Sequence, residues 1–125
     1  MIDCPFCSIK ENNDILFENN FAYAILDNFP VSEGHTLVIP KRHAQTYFDL
    51  TEEEITAFYQ LSLKVKVFID EKFHPDGFNI GFNCGEKAGQ TVMHCHMHII
   101  PRYDGDCDNP RGGIRKILRK PKTIY

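Results

Sequence analysis

Every second residue from His94 to His98 is a histidine, which places three of the chain's six histidines on a period of two. In an extended strand alternate side chains share a face. His94, His96 and His98 then project from one side, while Cys95, Met97 and Ile99 project from the other. The run over residues 92–100 is rich in Val, Ile and Met and is stopped by Pro101, which predicts a strand there. Same-face neighbours on a strand lie roughly 7 Å apart, near enough to share one small anionic ligand. Neutral imidazole is both nucleophile and proton carrier near pH 7, so such a row suits catalysis or metal binding.

The remaining chain supplies a frame for this strand. With 125 residues it has the length of one domain, residues 1–125, large enough for a core without disulfide support. Residues 15–18 and 21–26 read as a hairpin around Asn19-Asn20. A loop through Pro30 and Gly34 leads to a third strand, residues 35–39, closed by Pro40. Residues 51–73 predict the long helix, opened by a Thr51/Glu54 capping box. Ile55, Phe58, Tyr59, Ser62, Val65 and Ile69 recur at helical spacing and are expected to face the sheet, with Leu61, Val67 and Phe68 widening the stripe. Pro75 marks its end and His74 reads as a cap or surface residue. Residues 78–83 read as a fourth strand, and a glycine-rich loop enters the histidine strand. The tail, residues 103–125, ends in a basic cluster of Arg115, Lys116, Arg119, Lys120 and Lys122. Strands with a segregated long helix predict an α+β domain.

Composition narrows the function classes. A formal charge of −3 gives no general attraction to nucleic acid, so an anionic substrate must be held by local donors. No apolar run reaches the length of a membrane span, and Met1, Ile2 and Asp3 begin no signal-peptide pattern. Five cysteines with a single close pair argue against a disulfide framework and fit a reducing cytoplasm. That pair, Cys4-x-x-Cys7, is open to three readings. No strand precedes it, which disfavours a thioredoxin-like redox motif. Two coincidental thiols and a zinc site remain, and zinc requires two further ligands. Cys84, Cys95 and Cys107 read as ordinary thiols.

The motif His94-Cys95-His96-Met97-His98-Ile99-Ile100 resembles that of the histidine triad (HIT) family of nucleotide hydrolases and transferases. The upstream strand Gly34-His35-Thr36-Leu37-Val38-Ile39-Pro40-Lys41-Arg42-His43, with Asn83 and Cys4-Pro5-Phe6-Cys7, extends the resemblance over residues 4–102. It implies five antiparallel strands, one long and one short helix, and a homodimer. It implies that His96 is the nucleophile, taking a nucleotidyl group while a backbone carbonyl orients its other ring nitrogen. His98 would bind and protonate the leaving group, and His35 would lie near the site. Phosphate contacts are implied at Asn83, Gly89, Gln90 and Thr91, and a ribose contact at Asp27. Family members with the cysteine pair bind structural zinc, here matching Cys4, Cys7, His43 and His94.

A third triad histidine resembles the hydrolase branches, so water is the expected acceptor. The substrate expected is a dinucleoside polyphosphate of the diadenosine tetraphosphate type, or alternatively a nucleoside phosphoramidate. A nucleotide- or zinc-binding module with an unused triad is the competing class.

Overall fold

Apolar alternation in the strands sorts this chain into two sides of one sheet. The computed structural model describes residues 4–11 and 13–118. Met1, Ile2, Asp3 and Asn12 lie outside the described residues, as do Arg119, Lys120 and Lys122 of the expected basic cluster. The strands are β1 (Phe17–Glu18), β2 (Ala22–Leu26), β3 (Thr36–Pro40), β4 (Gly77–Gly81) and β5 (Met97–Arg102). They form one five-stranded sheet in the order β1-β2-β3-β5-β4, with every neighbouring pair antiparallel. A short helix α1 (Pro5–Ser8) precedes the sheet, and the long helix α2 (Glu52–Phe73) separates β3 from β4. The α+β class and the five antiparallel strands agree with the expectation.

Ala22 and Ala24 of β2, Val38 of β3, and Met97 and Ile99 of β5 face α2, where they meet Phe58, Leu61, Val65 and Ile69. The intervening residues Tyr23, Ile25, Leu37 and Ile39 face the other way, against Phe6, Ile9 and Ile15 near the N-terminus. Leu37 pairs with His98 across β3 and β5, so His98 lies on the face that α2 does not cover, and His96, just before β5, lines the same cleft as Leu37 and His98. Helix and histidine row therefore occupy opposite sides of the sheet.

Several expectations shift in detail: β1 begins at Phe17 and not at 15, and β4 runs Gly77–Gly81, which leaves Phe82 and Asn83 outside the strand expected to reach 83. The stripe of α2 that meets the sheet contains Ala57 and Leu61, while Tyr59 is 63% and Val67 57% exposed. Ile55, Tyr59 and Leu63 instead line an open groove beside β4. The long helix is thus apolar on two adjacent ridges, and spacing alone did not tell which one packs on the sheet. The histidine strand begins at Met97, not at position 92, and continues through Pro101. The β3 ladder to β5 ends at the Val38–Met97 pair, and the Cys95 N–H turns instead to the Ala44 carbonyl at 2.7 Å. Pro101 fits within the strand because its carbonyl accepts from the Ser32 hydroxyl (2.7 Å), on the side where β3 has ended. A residue's N and C=O point to the same side of a strand, so the N–H that proline lacks would have met no ladder partner.

The start of α2 is held in two ways. Thr51 and Glu54 form the expected reciprocal capping box. The buried Glu54 carboxylate also accepts from Arg42 at 2.8 and 3.1 Å, which ties the helix to the loop carrying His43. At the other end His74 caps α2 with φ 54°, the described non-glycine residue in the left-handed region. A Cβ there is strained, so His74→Gly should stabilise the fold by about 0.5–1 kcal/mol. The check is urea denaturation: the midpoint should rise at unchanged slope, and a lower midpoint would contradict the strain.

Candidate functional site

Residues from α1, β2, β3 and the approach to β5 enclose a cleft of about 630 Å³ on the histidine face. Its apolar wall is formed by Phe6, Ile25, Leu37 and Val92, and its polar end by Asp27, Thr91, His96 and His98. Phe6 meets the His96 ring edge-on at 4.8 Å between centroids, and His96 and His98 are 5.0 Å apart.

Backbone groups fix which nitrogen of each ring carries its proton. His96 Nδ1–H donates to the His94 carbonyl at 2.9 Å, which leaves the Nε2 lone pair free. The Val31 N–H donates to His35 Nδ1 at 3.1 Å, so neutral His35 carries its proton on Nε2. That Nε2–H donates to His98 Nδ1 at 2.9 Å, with an Asp27 carboxylate oxygen 3.4 Å away. His98 must then hold its own proton on Nε2. The row thus presents one nitrogen that can attack and one N–H that can donate. Burial depresses the affinity of His35, His96 and His98 for a second proton, and neighbouring imidazoles lower His98 further, to about 4. All three rings are neutral at pH 7.

Other expected residues are distributed unevenly. His35 is buried behind His98, and its contact with His98 places it one layer from the cleft. Asp27 lines the cleft, but one carboxylate oxygen accepts from the Phe29 N–H (2.9 Å) in a turn while the other faces His35. Thr91 is exposed at the cleft. The side chain of Gln90 is buried and fully committed: it accepts from the Gly85 N–H and donates to the Gln45 and Val92 carbonyls. It stiffens the turn and presents no side-chain donor to a ligand. Gly89, in the left-handed region at φ 99°, adjoins Asn83, and both lie outside the lining of the cleft. Sequence reading passed over Phe6 as a wall of the cleft and Val31 as the group that sets the His35 tautomer. The apolar residue between two cysteines was a usable signal for the first, whereas a backbone N–H leaves none for the second.

A second cluster lies next to the row. Cys4, Cys7, His43 and His94 bring their donor atoms within 4.8 Å of one another. His94 Nδ1 is 3.5 Å from each sulfur and 3.1 Å from His43 Nδ1, and Cys7 Sγ is 3.2 Å from His43 Nδ1. Ligands at zinc bond lengths stand about 3.3–3.8 Å apart at tetrahedral corners, close to this spacing. His94 Nε2–H donates to the Pro40 carbonyl at 2.9 Å, which leaves Nδ1 as the lone-pair nitrogen facing the cluster. Asp27, His35 and His98 also lie within such a radius. There the Val31 bond keeps a proton on His35 Nε2, so that nitrogen has no lone pair for a metal.

Residues 9–105 match the HIT domain. An uncharacterised HIT-like protein of Mycoplasma pneumoniae is 44% identical over 115 residues, which cover 87% of this chain and 80% of that protein. A bis(5'-adenosyl)-triphosphatase of Dictyostelium discoideum is 38% identical over 97 residues, 78% of this chain and 65% of that protein. Among solved structures, a HIT family protein of Bacillus anthracis superposes with a TM-score of 0.78 at 43% identity, over 83% of this chain and 76% of that one. A zinc-bound histidine triad family protein of Mycobacterium smegmatis gives a TM-score of 0.75 at 36% identity, over 83% of this chain and 78% of that one.

Two measurements check the electrostatics. The ¹⁵N shifts of His98 should show an Nε2–H tautomer and titrate near 4; a midpoint at the ordinary histidine value of about 6.5 would contradict the burial argument. Between those values the unfolded chain binds more protons at this residue than the folded one. Its contribution to stability is therefore complete above the ordinary value and declines as pH falls toward 4. Cys95 is buried and its thiol is pushed up to about 12, so it should resist alkylation in the folded protein while Cys107, which is exposed, reacts.

Proposed function

This chain belongs to the HIT family, which includes nucleotide hydrolases, and from that premise we propose that it splits a dinucleoside polyphosphate through a nucleotidylated His96. The observation that carries the reading is the His96 Nδ1–H bond to the His94 carbonyl, beside the donor nitrogen of His98. Neutral His96 Nε2 attacks a phosphorus, a P–N bond forms, and the bridging P–O bond breaks. The Nδ1–H bond stabilises the positive charge that the imidazole gains. The His98 Nε2–H donates a hydrogen bond to the departing phosphate oxygen, which leaves as an anion and takes any further proton from solvent. Water then attacks the same phosphorus, a new P–O bond forms as the P–N bond breaks, the water's proton passes to solvent, and His96 returns to its neutral state. His35 faces His98 with its only proton, on Nε2, and would be left an imidazolate by giving it up, so it orients His98 and does not extend a relay.

The apolar wall of Phe6, Ile25 and Leu37 suits a nucleobase, with Asp27 and Thr91 toward the ribose and phosphates. Asn83, Gly89 and the backbone at Gln90 belong in this reading to the phosphate end. A nucleoside phosphoramidate presents the same nucleotidyl group to His96 with a nitrogen leaving group, and is the second substrate class. Assay of purified protein with diadenosine tetraphosphate and adenosine phosphoramidate separates the two, and release from neither would favour a binding module. His96→Ala should keep the fold and lower turnover by about 10³-fold or more, while His98→Ala loses less because water partly replaces a hydrogen-bond donor. Retention of turnover within about tenfold in His96→Ala would exclude a covalent step there.

Zinc is proposed at Cys4, Cys7, His43 and His94, supported by the donor spacing and by the zinc-bound relative. Bound there, it would supply structural cross-linking and no chemistry to the reacting phosphate. Elemental analysis of protein purified without chelator should find one zinc per chain, and its absence would refute the assignment. A homodimer is proposed through the groove of Tyr59, Leu63, Phe78 and Ile80 beside β4, one of the two edges of the sheet. Light scattering at micromolar concentration should give twice the chain mass, and a monomer would overturn it. Among the described residues no helix is long and apolar enough to cross a membrane. The unpaired cysteines support a cytoplasmic setting, and the charge supports no nucleic-acid partner.

A further inference from the structure

The four-donor cluster is unevenly covered. Cys4 and His94 are buried, but Cys7 and His43 are exposed. Cys7 therefore presents a sulfur of the cluster to solvent, where a dissolved oxidant can reach it. The two sulfurs also lie on one turn of backbone: Cys4 is the N-cap of α1, and the Cys7 N–H bonds to its carbonyl at 3.2 Å. Each is 3.5 Å from the same His94 nitrogen, and they lie within 4.8 Å of one another. Closing that gap to a disulfide needs local adjustment of a single turn.

This pair is joined to the reacting ring by two short routes. His94, whose Nδ1 faces both sulfurs, uses its carbonyl to hold His96 Nδ1–H at 2.9 Å. Phe6, between the two cysteines in the chain, packs edge-on against His96. A change of state at the sulfurs therefore reaches His96 through one residue's backbone on one side and one ring contact on the other.

From this arrangement we infer that Cys7 is a site of reversible oxidation resolved by Cys4, and that forming the disulfide releases the metal and unlatches His96. The inference rests on the zinc assignment above. The oxidant is a peroxide. The Cys7 thiolate attacks one peroxide oxygen, the O–O bond breaks, and a sulfenic acid and water result after protonation. The Cys4 thiolate then attacks the Cys7 sulfur, an S–S bond forms, the S–O bond breaks, and a second water leaves. Two sulfurs lose one electron each and the peroxide gains two. The cation loses two of its four ligands, and two imidazoles alone hold zinc weakly. A thiol reductant together with zinc reverses the change.

The experiment uses the zinc-loaded full chain treated with hydrogen peroxide. Released zinc is read with a chromogenic chelator, the disulfide is read by peptide mass spectrometry without reduction, and turnover is read on the same samples. One zinc should leave for each Cys4–Cys7 disulfide. Turnover should fall by about tenfold or more, mainly in kcat, and return with dithiothreitol plus zinc. Cys107→Ser, which removes the exposed thiol outside the cluster, should respond as the wild type does. Oxidation that links other cysteines while zinc is retained would overturn the inference, as would loss of the response in Cys107→Ser. Zinc release and the disulfide are read without turnover, so they stand or fall independently of the proposed hydrolysis. Protein that carries no zinc before treatment would refute the metal assignment and this inference together. Zinc that is present but stays bound through disulfide formation would refute this inference alone.

Discussion

His94 is held at three points, and the geometry of the histidine row depends on it. Its Nε2–H is anchored on the Pro40 carbonyl, its Nδ1 lies among two sulfurs and a second imidazole, and its carbonyl receives the proton of His96. With no measurable exposure, the ring has no water to substitute for any of these partners. A buried imidazole left without its bonds would cost on the order of 1–3 kcal/mol per group. The N-terminal turn, the end of β3, the loop through His43 and the approach to β5 are therefore mutually constrained. The adjacent bond from the Cys95 N–H to the Ala44 carbonyl fixes the same junction through backbone alone.

Protonation in the cleft is governed by two different agents. Burial decides how many protons the row holds, because desolvation leads the causes that depress His35, His96 and His98. Backbone bonds decide where those protons sit: the His94 carbonyl settles His96, and the Val31 N–H settles His35 and, through it, His98. Neither agent is a charged residue. The Asp27 carboxylate is present, but it adjoins His35 and closes a turn of its own.

Much of this was legible from the chain itself. Period-two histidines implied one face, and the structure brings His96 and His98 together in the cleft opposite Met97 and Ile99, while His94 turns to Cys4, Cys7 and His43. The capping box of Thr51 and Glu54 and the glycine-rich entry to the triad were equally readable. Strand limits were less so, because they follow from where a partner strand leaves. β3 stops pairing with β5 at Val38, and Pro101 stays in β5 because no ladder partner faces its nitrogen. The choice between the two ridges of α2 depended on Ala22 and Ala24 opposite it, which periodicity within the helix cannot reveal. At the site, residue types announced the two histidine clusters, whereas the committed amide of Gln90 and the tautomer set by Val31 depend on folded backbone positions.

The separation of the two sheet faces also separates the effects of substitution. Along β2 and β3 alternate residues answer to different demands: Ala22, Ala24 and Val38 must fit α2, while Ile25 and Leu37 border the cleft. Substitution at the second set alters the shape offered to a bound molecule without touching the helix interface. Exchange of a few cleft-side residues would thus reshape the cleft alone, whereas a larger residue in place of either alanine would meet the packed helix.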